Sequence, residues 1–238
     1  MINSEKENKT SEHPEIFLKG ENIQTFPVPK LENNFYLKQL SVLNSNIFAV
    51  IQRRQIVIHN RSQSTSNPFQ SFKSRFSFSC VKFNKSSKVI AAANHQGEVQ
   101  LADFHSSKVF YKKNMHQKRV GVLEFNPLFE SVGVTGSKDN SLAVWDYRDQ
   151  RSALSINGHR GEVCGLDWYK NGYEFSSGDN NNTVHIWDLR NLKTPTMSIS
   201  SFGAAVRALK YSPFKSHLLA TGGGSGDMTL RVFDVKKR

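Results

Sequence analysis

The order of hydrophobic and polar residues predicts strands rather than helices over most of this chain. Four segments repeat one order: an apolar strand closed by an aromatic residue, a turn, a strand of small and β-branched residues, a tight turn, and a third strand closed by Asp. They read SCVKFNKSSKVIAAANHQGEVQLADF, VGVLEFNPLFESVGVTGSKDNSLAVWDYR, VCGLDWYKNGYEFSSGDNNNTVHIWDLR and VRALKYSPFKSHLLATGGGSGDMTLRVFDVKKR. One unit of antiparallel strands therefore recurs along the chain.

The spacing of the repeat identifies its type. The aromatic residues that close the first strands recur at intervals of 42, 43 and 43 residues, at Phe83, Phe125, Trp168 and Tyr211. The Asp residues that close the third strands are Asp103, Asp146, Asp188 and Asp234. A period of about 40–45 residues with a Trp-Asp signature is the β-propeller blade, so we predict an all-β WD-repeat propeller.

A weaker fifth unit precedes these four. Residues 34–60 alternate like two or three strands but lack the Trp-Asp ending. We therefore assign residues 34–238 to propeller blades 1–5. Residues 1–33 are polar and turn-rich, which predicts a disordered tail, and residues 22–29 could add one edge strand.

Several polar residues recur at equivalent places in successive units and resemble catalytic triads. A structural hydrogen-bonded set in each blade explains such recurrence better than catalysis does. We assign this role to Thr135, Asp139 and Trp145 in the third unit and to His159, Ser177 and Trp187 in the fourth. In the fourth unit Asn181 stands where Asp is usual, and Asp179 lies two residues earlier.

Four strings carry a closer resemblance to a known family. RVGVLEFN, GHRGEVCGLDW, SSGDNNNTVHIWD and AVRALKYSPFKSHLLATGGGSGD resemble the Fizzy and Fizzy-related proteins, as does FPVPKLENNFYLKQL near the N-terminus. The resemblance implies a propeller co-activator that brings substrates to the anaphase-promoting complex, a ubiquitin ligase. It also implies seven blades where five are readable, so we expect an incomplete propeller. A fragment or a truncated sequence is the preferred explanation, and pairing with another chain or a degenerate paralogue are the alternatives.

The resemblance also implies where substrate degrons bind. The pocket for the Lys-Glu-Asn degron, the KEN box, maps to Asn180, Asn182 and Ser225. The second degron, the D-box, uses an acidic residue where this chain has Asn34, and it also needs the last blade, so we do not expect this chain alone to bind it. The family's Asp-Arg-aromatic-Ile-Pro docking string and terminal Ile-Arg are not found here.

The polar N-terminal tail contains a KEN tripeptide of its own, at Lys6, Glu7 and Asn8. We consider it a candidate degron through which the ligase would destroy this protein. A chance match in a Lys- and Asn-rich tail is the alternative, and the sequence leaves both open.

Composition narrows the remaining possibilities. The chain carries 32 Lys+Arg against 20 Asp+Glu, a net charge of +12, but its basic residues are scattered, with one dense run at residues 108–119. That run predicts an exposed strand and turn on a solvated surface, so nucleic acid is not the expected partner. No membrane-spanning run, secretory signal or metal-ligand spacing is seen, and the glycine-rich residues 221–227 lack the Lys-Ser/Thr of a phosphate loop.

These observations predict a binding protein that is not an enzyme and needs no cofactor. Its expected partners are subunits of the anaphase-promoting complex, degron-containing substrates and spindle-checkpoint proteins, in the nucleus and cytoplasm. The isolated Cys80 and Cys164 agree with such a reducing compartment. Two alternatives are a substrate receptor of a cullin-type ligase, suggested by the Trp-Asp-x-Arg strings that end at Arg148 and Arg190, and a general scaffold. A mitotic or meiotic role, and an activating or inhibitory one, stay open.

Overall fold

The computed structural model of the chain describes residues 25–69, 71–149 and 153–237. The candidate degron Lys6, Glu7 and Asn8 lies outside the described residues, as does most of the predicted tail. Residues 25–29, the described part of the predicted edge strand, are not a strand; they run irregularly into a turn at Pro29 and Lys30.

The described chain folds into five antiparallel sheets in sequence order. Sheet 1 holds β1 (Leu40–Val42), β2 (Ile47–Gln52), β3 (Gln55–Asn60) and β4 (Thr65–Pro68). Sheet 2 holds β5 (Phe78–Phe83), β6 (Val89–Asn94), β7 (Glu98–Asp103) and β8 (Val109–Asn114). Sheet 3 holds β9 (Val120–Phe125), β10 (Val132–Ser137), β11 (Ser141–Asp146) and β12 (Leu154–Asn157). Sheet 4 holds β13 (Val163–Trp168), β14 (Glu174–Asp179), β15 (Val184–Asp188) and β16 (Met197–Ile199), and sheet 5 holds β17 (Val206–Tyr211), β18 (Leu218–Gly223) and β19 (Leu230–Asp234).

This architecture confirms the predicted all-β WD-repeat propeller with five blades. The predicted closing residues are the last residues of the strands, such as Phe83 of β5 and Asp103 of β7. The weak first unit is a complete four-stranded blade, because β4 follows the three strands of residues 34–60. In the part of the chain that the structure describes, no helix is long and apolar enough to span a membrane.

Asparagine side chains fix the turns between the first and second strands of three blades. The Oδ1 atom of Asn126 accepts hydrogen bonds from the backbone N–H groups of Leu128 and Phe129, both at 2.9 Å. Asn84 and Asn171 bond the amides of their own turns in the same way. Such side-chain bonds replace backbone pairs that a turn cannot make, which explains the recurrence of Asn after the closing aromatic residue.

The first strand of each blade lies innermost and contacts the first strand of the next. In blades 2 to 5 this strand carries one β-bulge at the same place, near its start. The extra residues are Ser79, Gly121, Cys164 and Arg207. A bulge leaves one residue without a ladder partner and increases the local twist, so each of these blades has one such residue near the start of its inner strand.

The core consists of four apolar layers, one between each pair of neighbouring sheets. Trp145 and Trp187 are fully buried in the second and third of these layers. Cys80 and Cys164 are free and buried, and burial raises the pKa of both thiols to about 12. Both thiols are therefore protonated, unreactive core residues.

Candidate functional site

The predicted KEN-binding residues lie in equivalent turns of neighbouring blades. Asn180 and Asn182 are in the turn between β14 and β15, and Ser225 is in the turn between β18 and β19. Each turn is anchored to the residue that precedes the inner strand of its own blade: Asn180 N–H donates to Glu162 O at 3.0 Å, and Gly224 N–H donates to Ala205 O at 3.0 Å. The repeat therefore brings both turns to the same face of the propeller.

The two asparagines of the blade 4 turn have different tasks. Asn180 is exposed, but its Oδ1 accepts a hydrogen bond from Glu162 N–H at 2.8 Å, so this side chain holds the turn in place. Asn182 is half-buried with a φ of 64°, in the left-handed region that Asn tolerates. Within the described residues the Asn182 amide makes no hydrogen bond, so it is free to bind a ligand.

Hydrogen bonds hold the blade 5 turn, and Ser225 is exposed on it. Asp227 fixes the turn by accepting hydrogen bonds from Gly203 N–H at 2.7 Å and from Arg231 at 3.1 Å. The Ser225 hydroxyl makes no hydrogen bond with any described residue. Site groups that are already fixed lose little conformational freedom when a peptide binds, so Asn182 and Ser225 are suited to recognising amide and charged groups.

A buried ion pair adjoins these turns, and sequence reasoning missed it. Arg119 Nη2 lies 2.5 Å from Glu162 Oε1, and both side chains are largely buried. The Arg119 guanidinium also lies 5.6 Å from the centre of the Tyr36 ring. The sequence feature that could have revealed this pair is its position, because Arg119 and Glu162 each directly precede the first residue of an inner strand.

Residues 34–38, here called the inner segment, lie along the inner strands. Val81 N–H donates to Lys38 O at 3.1 Å, and the Arg207 Nη2 group donates to Leu37 O at 2.6 Å. Arg207 also lies 5.1 Å from the centre of the Phe35 ring, beside a cavity of about 360 Å³. The inner segment therefore connects blade 2 with blade 5.

Asn34, which stands at the family's acidic D-box position, begins this segment. Its Oδ1 accepts a hydrogen bond from Tyr36 N–H at 3.0 Å, and its own carbonyl accepts from Leu37 N–H at 3.2 Å. The side chain therefore stabilises a turn and carries no charge that could pair with an arginine.

The blade 4 network contains the three predicted residues, His159, Ser177 and Trp187, and one further residue, Asp179. Ser177 Oγ lies 2.6 Å from His159 Nε2 and accepts a hydrogen bond from Trp187 Nε1 at 2.8 Å. His159 Nδ1 lies 3.0 Å from Asp179 Oδ2. Asp179, at the end of β14, therefore takes the acidic role, while Asn181 is exposed in the turn.

The charge of Asp179 is stabilised despite its burial. Burial alone would raise the pKa of this carboxyl, but His159 and the backbone N–H groups of Thr183 and Asn181 outweigh burial and lower the pKa. The residues of this network, His159, Ser177, Asp179 and Trp187, are all buried in the blade.

The blade 3 network differs from the prediction. His116, which sequence reasoning missed, lies 2.9 Å from Thr135 Oγ1 through Nε2, 2.9 Å from Ser141 Oγ and 3.3 Å from Asp139 Oδ2 through Nδ1. The Nε1 group of Trp145 has no hydrogen-bond partner among the described residues, so its assignment to this network was wrong. The ring packs against Gly133 and contributes apolar contacts instead.

The arginines of the Trp-Asp-x-Arg strings lie on exposed loops. Arg148 bonds Asp146 through Nε and Nη2, at 3.1 and 2.6 Å, and Arg190 bonds Asp188 in the same way. Each guanidinium therefore already has a bidentate carboxylate partner within its own Trp-Asp-x-Arg string. The same two-nitrogen geometry is the one that arginine uses to bind a carboxylate of another protein.

Comparisons with known proteins agree with this fold. The family model "WD domain, G-beta repeat" matches residues 150–188 and 193–234. The chain is 32% identical over 211 residues to "Anaphase-promoting complex subunit cdc20" of Dictyostelium discoideum and 30% identical over 208 residues to "Protein FIZZY-RELATED 3" of Arabidopsis thaliana. Each alignment covers 87% of this chain and 42% of the relative, so the chain spans about two fifths of the length of these relatives.

A solved structure gives the same result. The chain superposes with a TM-score of 0.81 and 27% identity on a chain of the "Crystal Structure of Mitotic Checkpoint Complex", covering 99% of this chain and 73% of that one. The resemblance drawn from the sequence strings is therefore confirmed.

Proposed function

We propose that this WD-repeat relative of the Fizzy and Fizzy-related proteins holds substrate proteins for the anaphase-promoting complex. It would act without catalysis or cofactor, since holding a substrate beside a ligase raises the effective concentration of the reactants. Ligase subunits, degron-bearing substrates and checkpoint proteins are the proposed partners, in the nucleus and cytoplasm.

The observation that carries the proposal is the pair of fixed turns on one face. Asn182 and Ser225 supply an amide and a hydroxyl without partners in the described chain, and Asn180 fixes the first turn. A KEN peptide presents an ammonium, a carboxylate and an amide, all of which can bond such groups. The neighbouring Arg119 and Glu162 stabilise the base of the site and are largely neutralised by each other.

A binding assay with single substitutions tests the site. We expect Asn182→Gly to weaken binding of a labelled KEN peptide about threefold to tenfold, because one hydrogen bond is lost. Glycine accepts the left-handed φ of 64°, so the turn should survive this change. The Asn180→Ala and Asn182→Ala double variant should abolish binding, which fluorescence polarisation would measure.

Blade 3 offers a matched control for this experiment. Asn140 lies in the equivalent turn of that blade with a φ of 69°, and its Nδ2 donates only one long hydrogen bond, to Arg160 O at 3.4 Å, so Asn140→Gly makes the same backbone change one blade away. Equal affinity of all the variants and the unmodified protein would show that the KEN peptide binds elsewhere. No measurable affinity of the unmodified protein would reject the degron-binding function itself.

Affinity purification with mass spectrometry separates the functional classes. Subunits of the anaphase-promoting complex among the partners support the proposal. A cullin adaptor in their place, lost on substitution of Arg148 and Arg190, would favour the alternative receptor. Salt-sensitive recovery of nucleic acid would point to a general scaffold.

We also propose that the tripeptide Lys6, Glu7 and Asn8 is a degron of this protein. Its replacement by three alanines should lengthen the half-life of the protein after mitosis, measured by chase after inhibition of translation. An unchanged half-life would leave the tripeptide as a chance match.

A further inference from the structure

A cationic cavity lies at the rim of blade 2, apart from the candidate degron site. It has a volume of about 460 Å³ and is lined by Lys73, Ser74, Arg75, Phe76, Glu98 and Lys112. Residues 73–76 belong to the segment that leads from blade 1 into β5, whereas Lys112 lies on the outermost strand, β8, within the basic run of residues 108–119. One residue of that basic run, Lys112, thus lines the cavity together with two cations of the preceding segment.

The backbone that carries two of the cations is fixed by buried amide side chains. Gln100 is 2% exposed and donates from Nε2 to Lys73 O at 2.9 Å. Asn94, also 2% exposed, donates from Nδ2 to Ser74 Oγ at 3.1 Å, and Phe76 N–H donates to the same oxygen at 3.0 Å. These hydrogen bonds hold residues 73–76, which bend at Arg75 and Phe76, and Lys73 and Arg75 both line the cavity.

The charges in the cavity do not cancel. Lys112 Nζ lies 3.1 Å from Glu98 Oε2, and Gln100 Nε2 donates to Glu98 Oε1 at 2.6 Å. The one acidic lining residue is thus already engaged. Lys73 and Arg75 have no ion-pair partner among the described residues, so the cavity has a formal excess of two positive charges.

We propose that this cavity binds a phosphorylated serine or threonine side chain of a partner protein. A phosphoryl group carries about −1.5 to −2 charges near neutral pH, which matches the excess of two positive charges. The fork of Arg75 can donate two hydrogen bonds to phosphate oxygens while Lys73 neutralises the remaining charge. Phe76, 46% exposed at the wall of the cavity, offers an apolar contact for the residue beside the phosphoresidue.

The test is a titration with a short labelled peptide that has a single phosphoserine followed by Phe. We expect saturable binding that is at least tenfold weaker for the unphosphorylated peptide and for a peptide with Glu in place of phosphoserine. Inorganic phosphate should compete. The Lys73→Gln and Arg75→Gln double variant should lose at least tenfold in affinity without unfolding, because both side chains are exposed.

The matched control is Lys85→Gln with Lys88→Gln, two exposed lysines of the β5–β6 turn in the same blade. This variant has the same net charge as the double variant and should bind like the unmodified protein. Equal losses in both variants would show that only overall charge matters, which overturns the proposal. Equal binding of the Glu peptide would overturn it in favour of an acidic-peptide site, and no binding of the phosphopeptide would overturn it outright.

Discussion

At the residue scale, one hydroxyl group connects two buried side chains of blade 4. Ser177 bonds both His159 and Trp187, so Ser177→Ala would leave two buried polar atoms without a partner. We expect it to lower the free energy of unfolding by about 1–3 kcal/mol. Urea denaturation would measure the loss. Ser198→Ala is the control, because Ser198 is an exposed serine that bonds His185, and an equal effect of both variants would contradict the network.

A neighbouring histidine makes the stability of blade 4 depend on pH. Burial, and then the charge of His159, lower the pKa of His185 from 6.5 to about 4. The unfolded chain therefore binds more protons than the folded chain between these pH values, and stability falls as the pH drops through this window. His159 and Asp179 also face this region, as does the Gly158 carbonyl, which bonds His185 Nε2 at 3.2 Å.

We expect His185→Gln to flatten this dependence. Between about pH 6.5 and pH 4 the variant should lose less stability than the unmodified protein. The slope of its unfolding free energy against pH should be smaller by the equivalent of up to one bound proton. Urea midpoints measured across this range would show the difference. The exposed His105→Gln variant should keep the full slope, and identical slopes for the unmodified and His185→Gln proteins would rule out His185 as the source.

At the element scale, blades 4 and 5 approach so closely at Gly178 that no side chain fits at this point. A Cβ atom on Gly178 of β14 would lie 2.2 Å from the backbone oxygen of Val206 in β17. Because that atom belongs to a paired inner strand, the clash cannot be relieved by a rotamer change. Glycine at this position therefore sets the distance between blades 4 and 5.

We expect Gly178→Ala to destabilise the protein by about 1–3 kcal/mol or more, since one blade must move relative to the next. Gly224→Ala is the control, because its nearest neighbours would be at 3.6 Å. Thermal denaturation of both variants checks this expectation. If both alanines were equally tolerated, close contact at Gly178 would not determine how these blades pack.

At the scale of the whole molecule, both terminal blades expose apolar strand residues. Leu230 and Val232 of β19 are 77% and 58% exposed, and Leu40 and Val42 of β1 are 59% and 64% exposed. Exposed apolar strands favour association with other chains. We expect Leu230→Ser with Val232→Thr to reduce concentration-dependent association of this chain in sedimentation velocity. Leu128→Ser, in an exposed loop, should change it little, and an equal reduction would argue against the strand edge.

The repeat made much of this fold predictable. Closing residues such as Trp168 and Asp188 ended their strands as predicted, because they recur at a fixed spacing and each has a fixed place in the blade. The contacts of the inner segment were not predictable in the same way. Leu37 and Arg207 meet across 170 residues, and only the curvature of the assembled blades brings them together.

Small shifts within a repeat also escaped prediction. Asp179 pairs with His159 although Asn181 occupies the usual position, because a carboxylate at the strand end reaches the imidazole equally well. The candidate degron site was located by resemblance alone, since Asn and Gly in turns are explained by backbone geometry without any ligand. Arg119 and Glu162 beside it occupy equivalent positions before their inner strands, but their residue types differ, so the repeated residues did not indicate the ion pair.

The recurring bulge has a consequence for how this protein could change over evolutionary time. Its extra residue is Ser79, Gly121, Cys164 and Arg207 in successive blades, four different chemistries at one structural position. The residue has no partner in the ladder, and of the four only Arg207 is not buried. Arg207 is therefore the bulge position at which a substitution alters an accessible surface, whereas Ser79, Gly121 and Cys164 are enclosed by neighbouring backbone.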